Sequence, residues 1–215
     1  MSSKLSIHEV FRDKGNKAAE QIARQVIEDK KLLTQLYDGV NGADKRVKNA
    51  AAKTLQILST REPRLLYPRF AFFVQLIEGD DTILKWIALD VVGNVAAVDT
   101  KNQINKKIVQ TLYDLLADES MITAAHAVAA LGNIALHKPR HRKDITDNLL
   151  RVENIKRNPE CRNILIGHTI LALTKYIDQI QDKKAVLAFA RRALKNSRPA
   201  TKKKAEKFLR QLSLR

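Results

Sequence analysis

Internal repetition with a spacing of 36 to 42 residues constrains this chain more than any other feature of its sequence. The segment 91–96 (VVGNVA) matches 130–135 (ALGNIA) at an offset of 39, and 44–48 (DKRVK) matches 81–85 (DTILK) at an offset of 37. Further along, equivalent leucines recur at offsets of 42 and 36, at Leu131, Leu173 and Leu209. Such spacings are typical of stacked helical repeats, in which each repeat buries its apolar face against its neighbours.

Each repeat contains a helical stretch, a short polar break and a second, more apolar helix. The predicted units are 29–61, 62–98, 102–137, 141–178 and 182–213. Residues 1–28 are predicted to cap the array with a leading helix over 16–28 and a short helix that starts with a capping box at Ser6 and Glu9. Asp, Ser, Asn and Pro in the breaks suit the first turn of a second helix. We predict one domain over 1–215.

The apolar pattern within the repeats is helical. In the first unit, residues that share one face at a period near 3.6 are Val47, Ala50, Ala51, Thr54, Leu55 and Leu58. The chain has only 7 Gly and 5 Pro, too few for the turns of a β-sandwich or barrel, and its 45% apolar residues provide for a continuous core. The predicted fold class is therefore all-α, an α-solenoid of about five helix pairs plus an N-terminal helix.

These repeats resemble the HEAT-repeat family. The motif is carried in the first unit by Asp44, Val47, Lys48, Ala51 and Leu55, and in the second by Asp81, Leu84, Lys85, Ala88 and Val92. Later units keep parts of it: Asp118, Leu131 and Gly132; Pro159 and Arg162, with about one extra turn; and Pro199 and Lys202. The resemblance implies a right-handed superhelix whose second helices line a concave face used for protein or nucleic-acid contacts. It implies no particular activity.

Positive charge is concentrated at the C-terminal end. The net charge is +16, and residues 183–215 contain twelve Lys or Arg against the single acid Glu206. A second cluster of four basic residues, in 138–143 (KPRHRK), is predicted to lie in a loop. This asymmetry favours an acidic partner, whether nucleic acid, an anionic membrane or an acidic protein surface.

Basic residues at equivalent repeat positions form the first candidate site. If the second helices stack in register, a positive row follows from Lys48, Lys85, Arg162 and Lys202. This row could bind phosphates or acidic side chains, or its members could instead pair with the loop acids Asp44 and Asp81. In the last helix, Lys203, Lys207 and Arg210 are predicted to form an exposed stripe opposite apolar residues.

Trp86 and Asp90 form the second candidate site, because they lie four residues apart on one helical face away from the core. The pair resembles the arrangement in HEAT-like alkylpurine DNA glycosylases. That resemblance implies that Trp86 would stack on a damaged nucleotide and Asp90 would stabilise the positive charge of the sugar. A second tryptophan expected in that family is absent. The alternative interpretation is a tryptophan that packs on the neighbouring repeat or acts as a binding hot spot.

Other site types have no support in the sequence. The single Cys161 excludes an internal disulfide, the five histidines have no shared ligand spacing, and no phosphate-binding glycine loop or nucleophile motif occurs. We therefore predict no metal and no cofactor. No signal peptide or transmembrane segment is predicted, and a cytoplasmic location is expected.

The leading prediction is a non-enzymatic scaffold that binds an acidic protein or peptide on its concave face and basic C-terminal end. The predicted binding residues are Lys48, Asn49, Lys85, Trp86, Asp90, Arg162, Lys203 and Lys207. The alternative is a DNA-binding solenoid with base-excision activity at Trp86 and Asp90.

Overall fold

The computed structural model describes residues 6–213, and this part of the chain is helical without a β-strand. The α-helices are α1 Ile7–Lys14, α2 Ala19–Glu28, α3 Leu33–Asn41, α4 Lys45–Arg61, α5 Pro63–Leu66, α6 Phe70–Glu78, α7 Thr82–Val95, α8 Lys106–Asp114, α9 Met121–His137, α10 Pro139–Leu150, α11 Pro159–Tyr176, α12 Lys184–Ala193 and α13 Pro199–Ser213. Short 3-10 turns extend or join several of them. None of the described helices combines the length and the apolar composition needed to cross a membrane.

The second helices start where the polar breaks predict, because side chains there accept hydrogen bonds from the first-turn N–H groups. Asp44 accepts from the backbone of Arg46 and Val47 at the start of α4, and Asp81 does the same for α7. Ser120 caps α9 and Asn158 caps α11. The capping box predicted at Ser6 is confirmed, since Ser6 and Glu9 exchange side chain to backbone bonds at 3.2 and 2.7 Å.

The chain divides into two compact units, and the first, Met1–Val98, contains three helix pairs. The pairs are α1 with α2, α3 with α4, and the α5–α6 segment with α7. The second helices α2, α4 and α7 pack in sequence. Gly15, with a φ of 55°, turns the chain between α1 and the 3-10 turn before α2, a backbone conformation that glycine adopts without strain.

The second unit, Asp99–Arg215, also contains three pairs: α8 with α9, α10 with α11, and α12 with α13. Here α9, α11 and α13 pack in sequence. The α9–α11 contact is close, because an added Cβ on Gly132 would lie 2.8 Å from the Cβ of Ala172. The core between the two helix layers includes Leu131, Leu173 and Phe189, each at most 1% exposed.

The predicted all-α architecture of helix pairs is confirmed, and each predicted pair has its break at the predicted place. The extra turn predicted in the fourth repeat lies at the start of α11, because Leu173 is residue 15 of α11 whereas Leu131 is residue 11 of α9.

The predicted loop at 138–143 is wrong, because α10 begins at Pro139 with Lys138 as its N-terminal flanking residue. Proline is well suited to the first helical position, where its missing N–H has no partner to lose. Lys138 Nζ lies 3.0 Å from the buried carboxylate of Asp99, and the guanidinium of Arg140 donates to the backbone oxygen of Ile104 at 2.7 Å. Arg142 donates to the backbone oxygens of Ala135 and Leu136 that end α9. Three of the four basic side chains therefore connect different segments of unit 2, and the fourth, Lys143, pairs with Asp147 on its own helix.

Candidate functional site

The second helices of unit 2 share one exposed side, which we call the second-helix face. On α11 it follows the helical spacing of Ile164, His168, Leu171 and Lys175, opposite the buried Ile166 and Leu173. The neighbouring helices extend the face with Ile122, Ala129 and Asn133 on α9, and with Lys204 and Lys207 on α13. Ile122 and Leu171 are 49% and 46% exposed, unusually high for large apolar side chains.

The second-helix face carries positive charge with little to balance it. Helix α9 has no acidic residue, α11 has only Glu160 and α13 has only Glu206. Glu160 is already paired with the guanidinium of Arg198. Glu206 directly precedes Lys207 and lies one residue beyond the buried Ala205, so it points away from the stripe of Lys204 and Lys207. An acidic ligand would therefore meet no unpaired carboxylate along this stripe.

Lys204 lies directly against the backbone of α11. A Cβ added to Gly167 would lie 3.4 Å from Lys204 Nζ and 2.8 Å from the hydroxyl oxygen of Thr201. Thr201 donates that hydroxyl to the backbone oxygen of Asn163 at 2.7 Å, which fixes α13 on α11. The missing side chain at Gly167 is what lets the Lys204 amine reach the position beside His168.

Burial and positive neighbours lower the pKa of two bases on this face. Burial lowers the pKa of His168, and the positive charges of Lys204 and His126 lower it further. Burial also lowers the pKa of Lys204, with Arg198 adding to the effect. A bound anion would offset this positive charge.

Hydrogen bonds between the second helices hold the face together. Lys175 Nζ donates to the side-chain oxygen of Asn133 at 2.6 Å, which joins α11 to α9. Asn163 donates to the hydroxyl of Ser197 and accepts from the amide of Asn196, both at 2.9 Å, which joins α11 to the start of α13. The three helices therefore present their side chains in a fixed register.

The predicted basic row is divided by the structure. Lys48 and Lys85 are half-buried, and within residues 6–213 neither forms an ion pair with Asp44 or Asp81. Asp44 instead caps α4 and lies 3.4 Å from the side chain of Arg12. The backbone N–H of Val47 contributes most to lowering the pKa of Asp44. Lys48 precedes Ala52 and Ser59 by 4 and 11 residues, which places it on the side of α4 that packs on α7.

Arg162 occupies the side of α11 that is equivalent to the position of Lys48 on α4. It is half-buried, four residues before Ile166 and seven before Thr169, both buried. Arg162 therefore does not lie on the second-helix face. By contrast Lys203, Lys207 and Arg210 are exposed. Ala205 and Phe208 are buried on the opposite side of α13.

Trp86 and Asp90 are half-buried on α7, with Asn49 half-buried on α4 in the same unit. The side-chain amide of Gln56 donates to the carboxylate of Asp90, and Asn94 donates to the hydroxyl of Ser59 at 2.9 Å. The Asp90 carboxylate is thus part of the polar contact between α4 and α7. The catalytic interpretation of Trp86 and Asp90 stays a prediction, and so does their role in binding.

Sequence reasoning missed most of the second-helix face. Lys207 was predicted, but His168, Leu171, Lys175 and Lys204 were not singled out as binding residues. The predicted Lys203 is exposed but is not one of the residues of this face. The signal that could have found them is the helical spacing of 164, 168, 171 and 175 in a helix almost without acids. Among residues 6–213, no three His, Cys, Asp or Glu side chains are grouped closely enough to hold a metal ion.

Acidification is expected to destabilise the protein through its histidines. Burial is the main cause that lowers the pKa of His141, which lies 5% exposed against the backbone oxygen of Ile104. Burial likewise lowers the pKa of His137 and His168. The unfolded chain, with a histidine pKa near 6.5, then binds more protons than the folded chain. Stability is therefore fully present above about pH 6.5 and falls as the pH drops through the lowered pKa values.

Thermal melting at pH values from 8 to 5 measures this effect. Between pH 7.5 and 5.5, the melting temperature of a His141→Gln variant is expected to decrease less than that of the wild type. An unchanged slope in the variant would show that protonation of His141 does not contribute.

No family model matches the sequence, and no curated protein is significantly similar to it. Solved structures do share its fold. A designed armadillo repeat protein is 17% identical with a TM-score of 0.59, over 96% of this chain and 90% of its own. A computationally designed armadillo repeat protein for modular peptide recognition is 16% identical with a TM-score of 0.62, over 91% of this chain and 89% of its own. An engineered protein reaches a TM-score of 0.66 at 19% identity, over 97% of this chain and 92% of its own. The fold is that of a helical repeat solenoid.

Proposed function

We propose that this protein is a non-enzymatic repeat scaffold that binds an acidic peptide segment of a partner protein on the second-helix face of unit 2. The observation that carries the proposal is the composition of that face. It combines the basic Lys204 and Lys207 with the exposed Ile122 and Leu171. Of the two acids on its three helices, Glu160 is already paired and Glu206 points away from the two lysines. A structural neighbour designed for peptide recognition supports a peptide as the ligand.

The dimensions of the face suit an extended segment. Packed helices lie about 8–10 Å apart, so the three second helices span roughly 20 Å. An extended peptide of about six residues covers that distance at roughly 3.3 Å per residue. Alternating acidic and apolar side chains would place carboxylates near the lysines and apolar groups on Ile122 and Leu171. Apolar burial then supplies affinity and the charges supply orientation and rate of association.

The repeat type is part of the same proposal. The Asp caps and the basic residues four positions later at Lys48 and Lys85 favour assignment to the HEAT type. The structural neighbours are armadillo designs, which share the stacked helix pairs.

Charge reversal on α13 tests the proposal. The probe is a fluorescent octapeptide of alternating Glu and Leu, measured by anisotropy at low and at moderate salt. The double variant Lys204→Glu, Lys207→Glu is expected to bind it about tenfold more weakly, which corresponds to about 1.4 kcal/mol. The loss should shrink as added salt screens the exposed charges.

A matched control makes the same change in net charge at two exposed lysines outside this face. Lys17 and Lys106 are exposed, and Lys17→Glu, Lys106→Glu is expected to leave the affinity within about twofold. Equal losses in both double variants would overturn the proposal, because they would indicate attraction by net charge alone. Tighter binding of an unlabelled DNA duplex than of the peptide would favour the DNA-binding alternative instead.

A further inference from the structure

The strongest local feature of the second-helix face is the proximity of two basic side chains, His168 and Lys204. The Lys204 amine lies against Gly167, the residue before His168, and its charge lowers the pKa of His168. Within residues 6–213 neither side chain makes a hydrogen bond or an ion pair to the protein. Lys204 Nζ is held beside the backbone of α11 by the absence of a side chain at Gly167. Both groups are half-buried, so water stabilises their charges less than it would at an open surface.

The charged groups that shift the pKa values of His168 and Lys204 are all positive. Of the helices packed against α11, α9 contributes His126 and α13 contributes Lys204 to the environment of His168. Arg198 is the charged neighbour of Lys204, and its own partner is Glu160. The charged residues of α10, α12 and the 3-10 turns beside α11 are not among the groups that shift the pKa of His168. Among the residues that the structure describes, no carboxylate pairs with His168 or Lys204.

A phosphate group matches this arrangement better than a carboxylate does. Near neutral pH a phosphate monoester carries a charge of about −1.5 to −2 and offers three acceptor oxygens. The pair offers an ammonium group and an imidazole N–H, which together can donate to two of those oxygens. One carboxylate carries a single negative charge and would leave part of the positive potential unbalanced.

We propose that His168 and Lys204 bind the phosphate of a phosphoserine or phosphothreonine within the acidic peptide. This inference rests on the proposed function, since it assigns one side chain of the same ligand. Lys204 supplies a fixed positive charge, and His168 donates a hydrogen bond and takes up a proton when the phosphate is bound. Leu171 and Ile122 contact the apolar residues on either side, so the peptide and not the phosphate alone determines the affinity.

The test compares three peptides that differ at one position, where the octapeptide carries serine, phosphoserine or glutamate. The phosphoserine peptide is expected to bind about tenfold more tightly than the serine peptide, with glutamate in between. Lys204→Met and His168→Gln are each expected to remove most of this preference, so that the phosphoserine and serine peptides bind these variants with similar affinity. Lys207→Met serves as the control, because it should weaken all three peptides alike. Circular dichroism melts verify that each variant is folded.

The protonation of His168 gives a second readout. By NMR, the pKa of its ring is expected to rise when the phosphoserine peptide binds and to stay unchanged with the serine peptide. Linkage then makes the affinity for the phosphoserine peptide increase as the pH falls from 8 to 6.5. Inorganic phosphate tests the anion alone and is expected to shift the same His168 signal only at millimolar concentration.

The outcomes separate this inference from the proposed function. Equal binding of the three peptides, with no His168 shift, overturns the phosphate assignment and leaves the peptide-binding proposal in place. If none of the peptides binds but inorganic phosphate shifts His168 in the wild type and not in Lys204→Met, the phosphate site stands and the peptide proposal fails. If neither peptide nor phosphate has any effect, both are wrong.

Discussion

Replacement of Asp99 by alanine is expected to lower the free energy of unfolding by about 3–5 kcal/mol. The Asp99 side chain is fully buried and accepts hydrogen bonds from the backbone N–H groups of Gln103 and Ile104 at 2.8 and 3.2 Å. Its carboxylate also lies 3.0 Å from Lys138 Nζ, and the Lys138 side chain is only 11% exposed. Alanine would leave two backbone donors without their acceptor and a nearly buried ammonium group without its counter-charge. Lys138 Nζ would keep only its hydrogen bond to the backbone oxygen of residue 99.

Urea unfolding followed by circular dichroism measures this loss. Lys143→Ala is the matched control, because Lys143 forms an ion pair with Asp147 on the same helix but is 91% exposed. Such a pair contributes at most about 0.5 kcal/mol. Asp99→Asn keeps an acceptor oxygen and is expected to fall between the two. A loss below about 1 kcal/mol for Asp99→Ala would show that the buried ion pair does not hold the start of unit 2 together.

Replacement of Gly132 by valine is expected to cost about 3 kcal/mol, because α9 and α11 approach too closely there for a side chain. A Cβ at this position would lie 2.8 Å from the Cβ and 3.1 Å from the Cα of Ala172. The second atom belongs to the backbone, so relief requires the helices to separate rather than one side chain to rotate. Gly132→Ala is expected to have a smaller effect, since alanine regains about 1 kcal/mol of helix propensity.

Gly79→Ala controls for the loss of a glycine as such. Gly79 has a φ of −74°, and an added Cβ would lie 3.6 Å from its nearest neighbours. Alanine is therefore expected to change stability by less than about 1 kcal/mol there. The denaturant midpoint is expected to be highest for Gly79→Ala, lower for Gly132→Ala and lowest for Gly132→Val. A neutral Gly132→Val would mean that the α9–α11 contact can widen freely.

The helix pairs could be predicted from the sequence because their signals are local. Apolar spacing near 3.6 identifies α4 and α7, and Asp44 and Asp81 mark their first turns. The start of α10 was not predicted, because it lacks such a local signal. The run of basic residues around Pro139 has no apolar periodicity of its own, and it is ordered by a contact with Asp99, 39 residues away in the sequence.

The site was only partly predictable because it combines three helices. Lys203 and Lys207 were found from the charge of one segment. The contact of Lys204 with Gly167 depends on how α13 lies on α11, which residue spacing within either helix does not specify. Equivalent sequence positions did keep equivalent directions, but this direction is not toward the second-helix face. Arg162, like Lys48 and Lys85, lies beside buried residues of its own helix.

The extra turn at the start of α11 separates the spacing of the repeats in sequence from their spacing in space. Leu131 and Leu173 are 42 residues apart, but α9 and α11 start only 38 residues apart, at Met121 and Pro159, so Leu173 lies about one turn further into its helix. The helices themselves keep their register, because Gly132 and Ala172 fix the α9–α11 contact directly. A search pattern with a constant repeat length therefore loses alignment at this point, although the stacking of the second helices continues without interruption through unit 2.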